Sequence, residues 1–322
     1  MRILILGGDG MLGHRLLEHL RGNHDVRVTL RRGPTDYERY GLFDEGNSYY
    51  GVEVLDHDKL TEVFADFKPE AVVNAVGIVK QRGAAKEAIP SLEVNSLLPH
   101  RLALLCRAAG ARLVHVSTDC VFSGRRGGYT EEDIPDAEDL YGRTKLLGEV
   151  AEPGAVTLRT SIIGLELSRK TGLIEWFLAQ RGGIRGFRRA TYTGLTTAEL
   201  SRVIERVLTE HPDLYGVWQV ASEPINKYDL LVRFAEILGR DDVEISPDDA
   251  VKIDRSLSGS PSRGRRAIMR RVGTKCCRSW APRCARGRVR TFDGEGSRRQ
   301  EGDGDGGDGL PGQAARAAHL ER

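Results

Sequence analysis

A glycine-rich turn between an apolar run and an amphipathic pattern is the feature that most constrains the fold of this chain. Residues 3–6 are uninterrupted and apolar, which is typical of a parallel strand buried on both faces. They run into Gly7-Gly8-Asp9-Gly10-Met11-Leu12-Gly13, after which apolar residues recur at helical spacing until Gly22. Spaced glycines in a strand–turn–helix unit permit a tight turn, close approach of backbone to a pyrophosphate, and packing of helix on strand. The turn therefore predicts an α/β protein with a doubly wound parallel sheet.

The residues of this turn are the first candidate cofactor contacts. The N-terminus of the following helix would face the phosphates of a dinucleotide, because its first amides have no partners within the helix. Without the strand and the helix, such glycines would indicate only a turn. The candidates are Gly7, Gly10, Met11, Leu12 and Gly13.

Two arginines bear on the choice of cofactor. The second predicted strand, residues 26–30, runs into Arg31 and Arg32. An NAD site usually carries an acidic residue near this position, where it holds the ribose 2′-hydroxyl. Two guanidiniums suit a 2′-phosphate instead, so we predict NADP(H) in preference to NAD(H). Two solvated surface arginines are the alternative.

A long loop and a third strand are expected next. Residues 33–49 are rich in Gly, Pro, Tyr and acids, and residues 52–55 are predicted to form the strand. The strand ends at Asp56, which we expect near the adenine amino group of the cofactor. Asp58 is expected to cap the following helix, which Pro69 ends.

Small residues follow the fourth predicted strand, residues 71–74. Where a strand leaves the sheet, small side chains permit close contact with a cofactor. Asn74, Ala75 and Gly77 are therefore candidate cofactor contacts, and a plain tight turn is the alternative.

A proline lies inside the helix predicted over residues 91–109. Pro99 leaves the carbonyl group of Asn95 without its amide donor. We expect this carbonyl to hold a water that feeds protons toward Lys145, which makes Asn95 a candidate for catalysis. A simple kink is the alternative.

Two hydroxyl groups stand at the end of the fifth predicted strand, residues 112–117. Ligands of open parallel sheets bind beyond the carboxyl ends of the strands. Thr118 is therefore placed to hydrogen-bond a substrate oxygen, and Ser117 is a candidate cofactor contact.

Tyr141 and Lys145 are four residues apart, which puts both side chains on one face of a helix. A phenol holds its proton until pH ~10, and an ammonium within ~4–6 Å favours the phenolate and lowers the pKa of the phenol. Tyr141 would then serve as a general acid or base. Taken alone, the spacing arises by chance in many helices, and an exposed helix face is the alternative.

Together these motifs resemble the extended short-chain dehydrogenases/reductases, and among them the dTDP-4-dehydrorhamnose reductases and their nucleotide-sugar relatives. The likeness covers roughly residues 1–257, and its most diagnostic parts are Ser-Thr-Asp-x-Val-Phe-x-Gly at 117–124 and Tyr-Gly-x-Thr-Lys-x-x-Gly-Glu at 141–149. The motifs that carry it are Gly7/Gly10/Gly13, Asn74-Ala75-x-Gly77, Asn95, Ser117-Thr118-Asp119, Tyr141-x-x-x-Lys145 and Arg159-Thr160-Ser161.

The resemblance implies a Rossmann domain that binds NADP(H), residues 1–164 with some later elements returning to it, and a smaller sugar-nucleotide-binding region, residues 165–257. It implies that Thr118 and Tyr141 meet the sugar C4 oxygen and that Lys145 holds the nicotinamide ribose, so Tyr141 and Lys145 are also counted as cofactor contacts. The implied reaction is NADPH-dependent reduction of the C4 ketone of a nucleotide-linked 4-dehydro-6-deoxy sugar, in the synthesis of deoxysugar and polysaccharide precursors.

Two alternatives stay open at this point. A nucleotide-sugar epimerase shares the Tyr and Lys, and a non-catalytic NADP-binding subunit shares the fold. Dehydratases of this kind commonly carry a Glu where this chain has Cys120, which disfavours dehydration. The chain departs from the typical reductase at Ile78-Val79-Lys80-Gln81, so the sugar and its nucleotide are left open.

The second half of the chain supplies scaffold elements. A sixth strand is predicted at 156–159, a helix over the sugar site at 173–178, and helices at 197–208 and 227–238 on either side of a strand at 217–220. A glycine-containing loop is expected to carry Arg181, Arg185, Arg188 and Arg189. One of them would clamp the substrate diphosphate, or all of them would be solvated surface charge.

Bulk composition excludes several classes of protein. The net charge of +2 indicates no particular partner, no apolar run is long enough to span a bilayer, and five irregularly spaced cysteines do not form a disulfide framework. The N-terminus shows no cleavable signal pattern. We expect a cytoplasmic protein with free thiols and no resident metal, with a nucleotide-linked sugar as its partner and a homodimer as one option.

The tail, residues 258–322, differs from the rest. It is rich in Arg, Gly, Ala and Pro, and runs such as residues 302–309 cannot bury a core. We expect disorder there and interpret the change as a shifted reading frame from about Ser260, a natural low-complexity tail being the alternative. Zinc binding is disfavoured because paired C-x-x-C spacing is lacking, and nucleic-acid binding by the basic run 263–271 is a weak option. The cysteines of this tail are Cys276, Cys277 and Cys284.

Overall fold

The computed structural model describes residues 1–79 and 87–258. Several expectations fall outside this part of the chain. They concern the family departure at Lys80 and Gln81, the disorder of the tail beyond Ser258, its cysteines and its basic run.

The described part contains fourteen strands and eight α-helices. The strands are β1 (Arg2–Leu6), β2 (Asp25–Thr29), β3 (Ser48–Tyr49), β4 (Ala71–Asn74), β5 (Arg112–Thr118), β6 (Ala155–Thr160), β7 (Ile162–Ile163), β8 (Gly182–Phe187), β9 (Ala190–Tyr192), β10 (Leu195–Thr196), β11 (Gly216–Gln219), β12 (Ile225–Asn226), β13 (Val243–Asp248) and β14 (Ile253–Asp254). The helices are α1 (Gly13–Leu20), α2 (His57–Phe67), α3 (Ala88–Ser91), α4 (Leu98–Ala109), α5 (Leu140–Leu147), α6 (Leu173–Leu178), α7 (Thr197–Thr209) and α8 (Lys227–Leu238).

A seven-stranded sheet forms the centre of the molecule. Its order is β11-β6-β5-β4-β1-β2-β3, and its pairings are parallel. The chain winds outward in both directions from β1 and β4, so these neighbours mark the switch point where ligands of doubly wound sheets bind. The predicted fold class is confirmed, and β11 shows that a late part of the chain returns to this sheet.

Helices cover both faces of the sheet. Along β1, Ile3 and Ile5 join a core cluster with α1 and α7, whereas Leu4 and Leu6 join a second cluster with α2 and α4. Successive side chains of a strand point to opposite faces, and here both faces are apolar. This double burial explains why residues 3–6 form an unbroken apolar run.

The third strand lies elsewhere than predicted. Ser48 and Tyr49 pair with Val28 and Thr29, and residues 52–55 are an irregular segment. Val52 and Val54 are nevertheless buried against the α2 face, which accounts for their strand-like pattern. The stretch predicted as a loop also contains two short 3₁₀ turns, Pro34–Asp36 and Glu38–Tyr40.

The cap of α2 is Asp56 and not Asp58. The Asp56 carboxylate accepts a hydrogen bond of 3.0 Å from the backbone amide of Lys59. Asp58 lies inside the first turn of the helix, where its charge faces the positive end of the helix dipole. The predicted cap was therefore wrong by two residues, because both aspartates closely follow the apolar segment.

The helix predicted over 91–109 begins earlier and is not uniform. It starts with α3, widens into a π-helical turn at Leu92–Leu97, and continues as α4. Pro99 therefore stands in the first turn of α4 and not in the interior of one regular helix. In the first turn of a helix the missing amide of a proline costs least. Such π turns often occur at functional sites.

A second, smaller core lies beyond β7. β8 and β13 pair in parallel over six residue pairs, and α6 and α8 pack against them. The loop predicted around residues 181–189 is thus mainly a strand. Three of its four arginines pair with aspartates at the surface: Arg181 with Asp242, Arg185 with Asp248, and Arg188 with Asp249.

Helices α1 and α7 are joined by a contact between polar side chains. His19 of α1 lies 2.7 Å from a carboxylate oxygen of Glu205 on α7, so two helices far apart in sequence pack side by side on one sheet face. Among the described residues, no helix is both long and apolar enough to cross a membrane.

Candidate active site

A cleft of about 270 Å³ opens beyond the carboxyl ends of β1, β4, β5 and β6. It brings together nine of the predicted site residues, which come from four separate segments of the chain: Gly10, Met11, Leu12, Ala75, Gly77, Ser117, Thr118, Tyr141 and Lys145. The remaining predicted residues do not line the cleft: Gly7, Gly13, Arg31, Arg32, Asp56, Asn74 and Asn95.

The glycine turn has a geometry that side chains would destroy. Gly7 has φ +82°, and a Cβ atom there would lie 2.9 Å from Val76. A Cβ atom on Gly13 would lie only 2.1 Å from the carbonyl oxygen of Gly7. These two glycines therefore allow close packing of the turn against α1 and against the segment after β4, while Gly10 lines the cleft.

The N-terminus of α1 fits an anionic group. Leu12 occupies the N-cap position, and its side chain makes no capping hydrogen bond. Met11 and Leu12 also line the cleft. The amide of His14 donates to the carbonyl of Gly10 at 3.3 Å. The N-terminal end of α1 thus adjoins the cleft, and the helix dipole favours a phosphate there.

The residues after β2 are exposed. Arg32 lies 3.4 Å from the Asp36 carboxylate, with both side chains largely in solvent. The phenol of Tyr37 links this segment to the glycine turn, since it lies 3.4 Å from the Asp9 carboxylate and 3.4 Å from the amide of Arg32. Arg31 is exposed beside them.

Asp56 and Asn74 have structural partners. The Asp56 carboxylate caps α2, as described above. Asn74 is fully buried, its amide nitrogen lies 3.1 Å from Nδ1 of His115, and its side-chain oxygen accepts from the amide of Val76 at 3.1 Å. Asn74 therefore shapes the turn after β4 from behind, and contact with a cofactor stays a prediction for both residues.

Asn95 joins that turn to α5. Its side chain accepts from the amide of Ile78 at 2.9 Å and donates to the carbonyl of Ile78 at 3.0 Å and to Thr144 at 3.3 Å. Its carbonyl oxygen faces Gly148, where a Cβ atom would lie 1.9 Å away. The carbonyl thus lies against the end of α5, and its role in proton transfer stays a prediction.

Tyr141 is placed by the start of α5. The Asp139 carboxylate caps the helix by accepting from the amide of Gly142 at 2.7 Å. Gly142 lets the helix approach β5, because a Cβ atom there would lie 2.2 Å from the carbonyl oxygen of Cys120. The phenol of Tyr141 is thereby hydrogen-bonded to the hydroxyl of Thr118.

The pKa of Tyr141 moves in the direction opposite to the prediction. Burial raises the pKa of the phenol well above its ordinary value, the neighbouring Cys120 adds to this, and the hydrogen bond with Thr118 opposes it. Desolvation disfavours the phenolate. The expected lowering by Lys145 is not found, because the ammonium of Lys145 is directed elsewhere.

Lys145 is buried beneath the cleft. Its Nζ donates to the carbonyl of Val116 at 2.7 Å and lies 3.5 Å from Nε2 of His115. Burial lowers the pKa of Lys145 to about 8, and the Glu149 carboxylate opposes this shift. Burial and Lys145 together hold the pKa of His115 well below its ordinary value, so His115 is neutral.

A buried ion pair beside the cleft was missed in the sequence. Glu149 and Arg159 form two hydrogen bonds of 2.8 and 2.7 Å, and their side chains are only 5% and 7% exposed. Ser117 donates its hydroxyl proton to the same carboxylate at 2.8 Å. Both charged residues stand in motifs quoted above, but their pairing links the segment just after α5 to β6 and leaves no spacing signal.

A segment after β7 was also missed. Glu166, Arg169, Thr171 and Gly172 line the cleft opposite the glycine turn. A Cβ atom on Gly172 would lie 3.0 Å from the Met11 side chain. The segment is irregular, so no periodicity could have revealed it. Within residues 1–79 and 87–258, no group of three or more His, Cys, Asp or Glu residues is arranged to hold a metal ion.

The sheet, the glycine turn and the Tyr–Lys pair define the class of protein, a doubly wound dinucleotide-binding fold with one cleft at its switch point. The sequence model of the family described as RmlD substrate binding domain matches residues 1–172. The chain belongs to this family.

Three relatives illustrate the range of similarity. The bovine (Bos taurus) methionine adenosyltransferase 2 subunit beta is 30% identical over 174 residues, covering 52% of this chain and 48% of that protein. A dTDP-4-dehydrorhamnose reductase of Aggregatibacter actinomycetemcomitans is 26% identical over 248 residues, covering 72% and 77%.

The third is a solved structure, the dTDP-4-dehydrorhamnose reductase of Bacillus anthracis in complex with NADP. It has a TM-score of 0.63 and 20% identity, and the match covers 80% of this chain and 89% of that chain. At this identity the likeness concerns the fold. The chain spans about half the length of the first curated relatives it matches.

Proposed function

We propose that this protein is an NADPH-dependent reductase of the C4 ketone of a nucleotide-linked 4-dehydro-6-deoxy sugar. The observation that carries the proposal is that the glycine turn, Thr118, Tyr141 and Lys145 meet in one cleft. The family supports it, as do the Aggregatibacter relative named as such a reductase and the Bacillus structure that contains NADP.

The cleft suits the cofactor from end to end. The amides at the start of α1, next to Gly10, would hold the pyrophosphate, and Arg31 and Arg32 would lie near the ribose 2′-phosphate. The family resemblance implies that Lys145 would hold the nicotinamide ribose. Its ammonium lies next to Gly77, where a Cβ atom would be 4.0 Å from it. When bound, NADPH supplies the hydride.

The protein supplies the proton and the orientation. Because burial raises the pKa of Tyr141, the phenol is protonated at neutral pH and is a proton donor to the oxygen at sugar C4. Thr118 orients the same oxygen through its hydroxyl. The charged form of Lys145 would hold the nicotinamide ribose in place, and the phenolate that remains then regains a proton from solvent. One hydride and one proton thus convert the ketone to an alcohol.

Residues 165–257 are proposed to bind the rest of the substrate. A second cavity, of about 260 Å³, is lined by Ser123, Glu138 and Arg255 and shares Cys120 with the main cleft. Arg255 is held there by donating to the carbonyl of Phe122 at 2.9 Å. The late part of the chain therefore reaches the edge of the cleft next to the reacting groups.

The test is an assay with NADPH and a panel of 4-keto sugar nucleotides, followed by loss of absorbance of the reduced cofactor. We expect turnover with at least one member of the panel and none without the sugar nucleotide. An epimerase would interconvert sugar stereoisomers and show no net oxidation of NADPH. Absence of both activities in protein that binds NADPH would contradict the proposal.

A second candidate is a non-catalytic subunit that binds NADP. The observation in its favour is that the bovine relative, at 30% identity, is named as a subunit of methionine adenosyltransferase. Addition of this protein to a methionine adenosyltransferase from the same cell would then change the kinetics of that enzyme, and Tyr141→Phe would leave the effect intact. The presence of Thr118, Tyr141 and Lys145 in one cleft favours the reductase.

A further inference from the structure

The segment that faces the glycine turn, residues 164–172, is held in a defined shape. The Glu166 carboxylate accepts from the amides of Thr171 at 2.6 Å and Gly172 at 3.1 Å. The amide of Glu166 donates to Glu175 of α6 at 3.0 Å. Together with the contact between Gly172 and Met11, these bonds fix the segment against the start of α1.

Arg169 stands on this segment and lines the cleft. The residue is exposed, so its guanidinium is open to a ligand. Within the described part of the chain, no carboxylate lies at ion-pair distance from it. Partial desolvation lowers the pKa of Arg169, and its charged neighbours act on it as well.

Those neighbours place Arg169 at one end of the cleft. The groups that act on its charge are Asp9, Arg31, Tyr37 and Arg32. They form one connected group, since Tyr37 lies 3.4 Å from both the Asp9 carboxylate and the amide of Arg32. Asp9 stands in the glycine turn, and the other three residues follow β2, where the adenosine ribose of a dinucleotide lies in folds of this kind.

The three guanidiniums of Arg31, Arg32 and Arg169 stand beside the carboxylates of Asp9 and Asp36, and the excess positive charge is unfavourable without a ligand. The arrangement becomes favourable when a dianion binds, because guanidinium and phosphate make strong paired hydrogen bonds. The pyrophosphate is an unsuitable occupant, as it is expected at the α1 amides next to Gly10. The 2′-phosphate of the cofactor is the dianion that belongs at the end of β2.

We propose that Arg169 is a specificity-determining residue that binds the 2′-phosphate of NADP(H) together with Arg31 and Arg32. This inference rests on the cofactor of the proposed function. It assigns part of the cofactor selectivity to a segment that is distant in sequence from the glycine turn and lies after β7. The cofactor would therefore be held from two sides, by β2 and by residues 164–172.

The test is calorimetric binding to the full chain carrying Arg169→Gln, with Arg233→Gln as the control. Arg233 is an exposed arginine of α8 that pairs with Glu236 at 3.7 Å, away from the cleft. The ligands are NADPH, NADH and two fragments, adenosine 2′,5′-bisphosphate and adenosine 5′-monophosphate. These fragments differ only in the 2′-phosphate.

We expect Arg169→Gln to weaken NADPH and the bisphosphate at least about tenfold, the scale of one lost charge-assisted contact. NADH and the monophosphate should stay within about twofold of the wild type, which also shows that the variant is folded. The control should bind all four ligands as the wild type does. Arg169→Lys keeps the charge but loses the two-pronged guanidinium, so its affinity for NADPH should lie between those of the wild type and Arg169→Gln.

Three outcomes would overturn the inference. An equal loss for NADPH and NADH would place Arg169 on the shared part of the cofactor, and unchanged binding of both would remove it from the site. Wild-type protein that prefers NADH would overturn both the inference and the NADP assignment. Selective binding of NADPH without turnover of any sugar nucleotide would leave the inference standing and reject only the proposed reaction.

Discussion

The two ends of the cleft hold their polar groups in different ways. Beneath Tyr141, the side chains of Lys145, Glu149 and Arg159 are almost fully buried and have close partners. Beyond β2, Arg31 and Arg32 are exposed, and the pair of Arg32 with Asp36 spans 3.4 Å in solvent. Burial changes pKa values and fixes geometry, whereas exposed charges act mainly through long-range attraction.

The difference indicates a division of labour. The buried end can hold a proton at a chosen place, which chemistry requires. The exposed end can attract and select a charged ligand without a large cost in stability, because the water around its arginines is only partly removed. Substitutions at the two ends should therefore change different measurements.

Removal of the Tyr141 hydroxyl should have the largest effect. We expect Tyr141→Phe to lower kcat by about 10²–10⁴-fold, the usual contribution of a positioned proton donor. NADPH binding should persist, since the phenol oxygen is one small part of the cleft. Stopped-flow or steady-state kinetics with the accepted sugar nucleotide, combined with calorimetry, measures both. A variant with near-normal kcat would show that Tyr141 is not the donor.

Loss of the buried carboxylate should come second. Glu149→Ala leaves Arg159 charged and buried without its partner, which typically costs about 3–5 kcal/mol of unfolding free energy. The matched control is Glu152→Ala, because Glu152 forms an exposed pair with Arg107 at 3.0 Å and such pairs contribute about 0.2–1 kcal/mol. Denaturant unfolding of both variants checks this. Equal losses would mean that burial does not distinguish the pairs.

The pH dependence should report Lys145. Its pKa is lowered to about 8 by burial, so its charged form is present below that pH and is lost above it. The kcat/KM value, which reports the free enzyme, should therefore decline as pH rises through about 8, by tenfold per unit once the decline is established. Lys145→Arg, which stays charged, should lose this decline whatever its absolute rate.

Stability should respond to the same group with the opposite sign. The pKa of Lys145 is lower in the folded chain than the ~10.4 of an unfolded lysine. Between these values the unfolded state binds more protons, so this group makes the fold more stable as pH rises from about 8 to about 10. A wild-type stability curve that lacks this contribution relative to Lys145→Met would contradict the burial of the amine.

The exposed end should give the smallest effect on stability. Arg32→Gln removes a pair that is largely in solvent, so the unfolding free energy should change by no more than about 1 kcal/mol. Its NADPH affinity should fall a few-fold at low salt, and the difference should shrink as salt rises. Binding titrations at two salt concentrations measure this. A salt-independent loss would place Arg32 in a buried contact.

The parts of the fold that were predicted correctly are those with local signals. The strands β1, β4, β5 and β6 are apolar along their length and are buried on both faces. The apolar residues of α7 and α8 recur at helical spacing, and each helix buries the one face that carries them. The position of β3 was predicted wrongly because only two residues, Ser48 and Tyr49, form its pairing with β2. The apolar side chains nearby belong to an irregular segment.

The roles of the site residues stay predictions, and the electrostatics of the cleft could not be predicted from the sequence. The cleft does contain Thr118, Tyr141 and Lys145, as their spacing indicated. The direction of the Tyr141 pKa shift depends on how deeply the phenol is buried, and the Glu149–Arg159 pair depends on where α5 meets β6. Both are tertiary properties, which no spacing within a single segment contains.

Transfer of a label tests the central claim most directly. Wild-type protein would be incubated with an accepted 4-keto sugar nucleotide and NADPH that carries deuterium at the transferable position, and the product would be examined by NMR. The account predicts one deuterium at sugar C4 and one equivalent of oxidised cofactor. A product without deuterium at C4, or one formed with no net oxidation of NADPH, would contradict it.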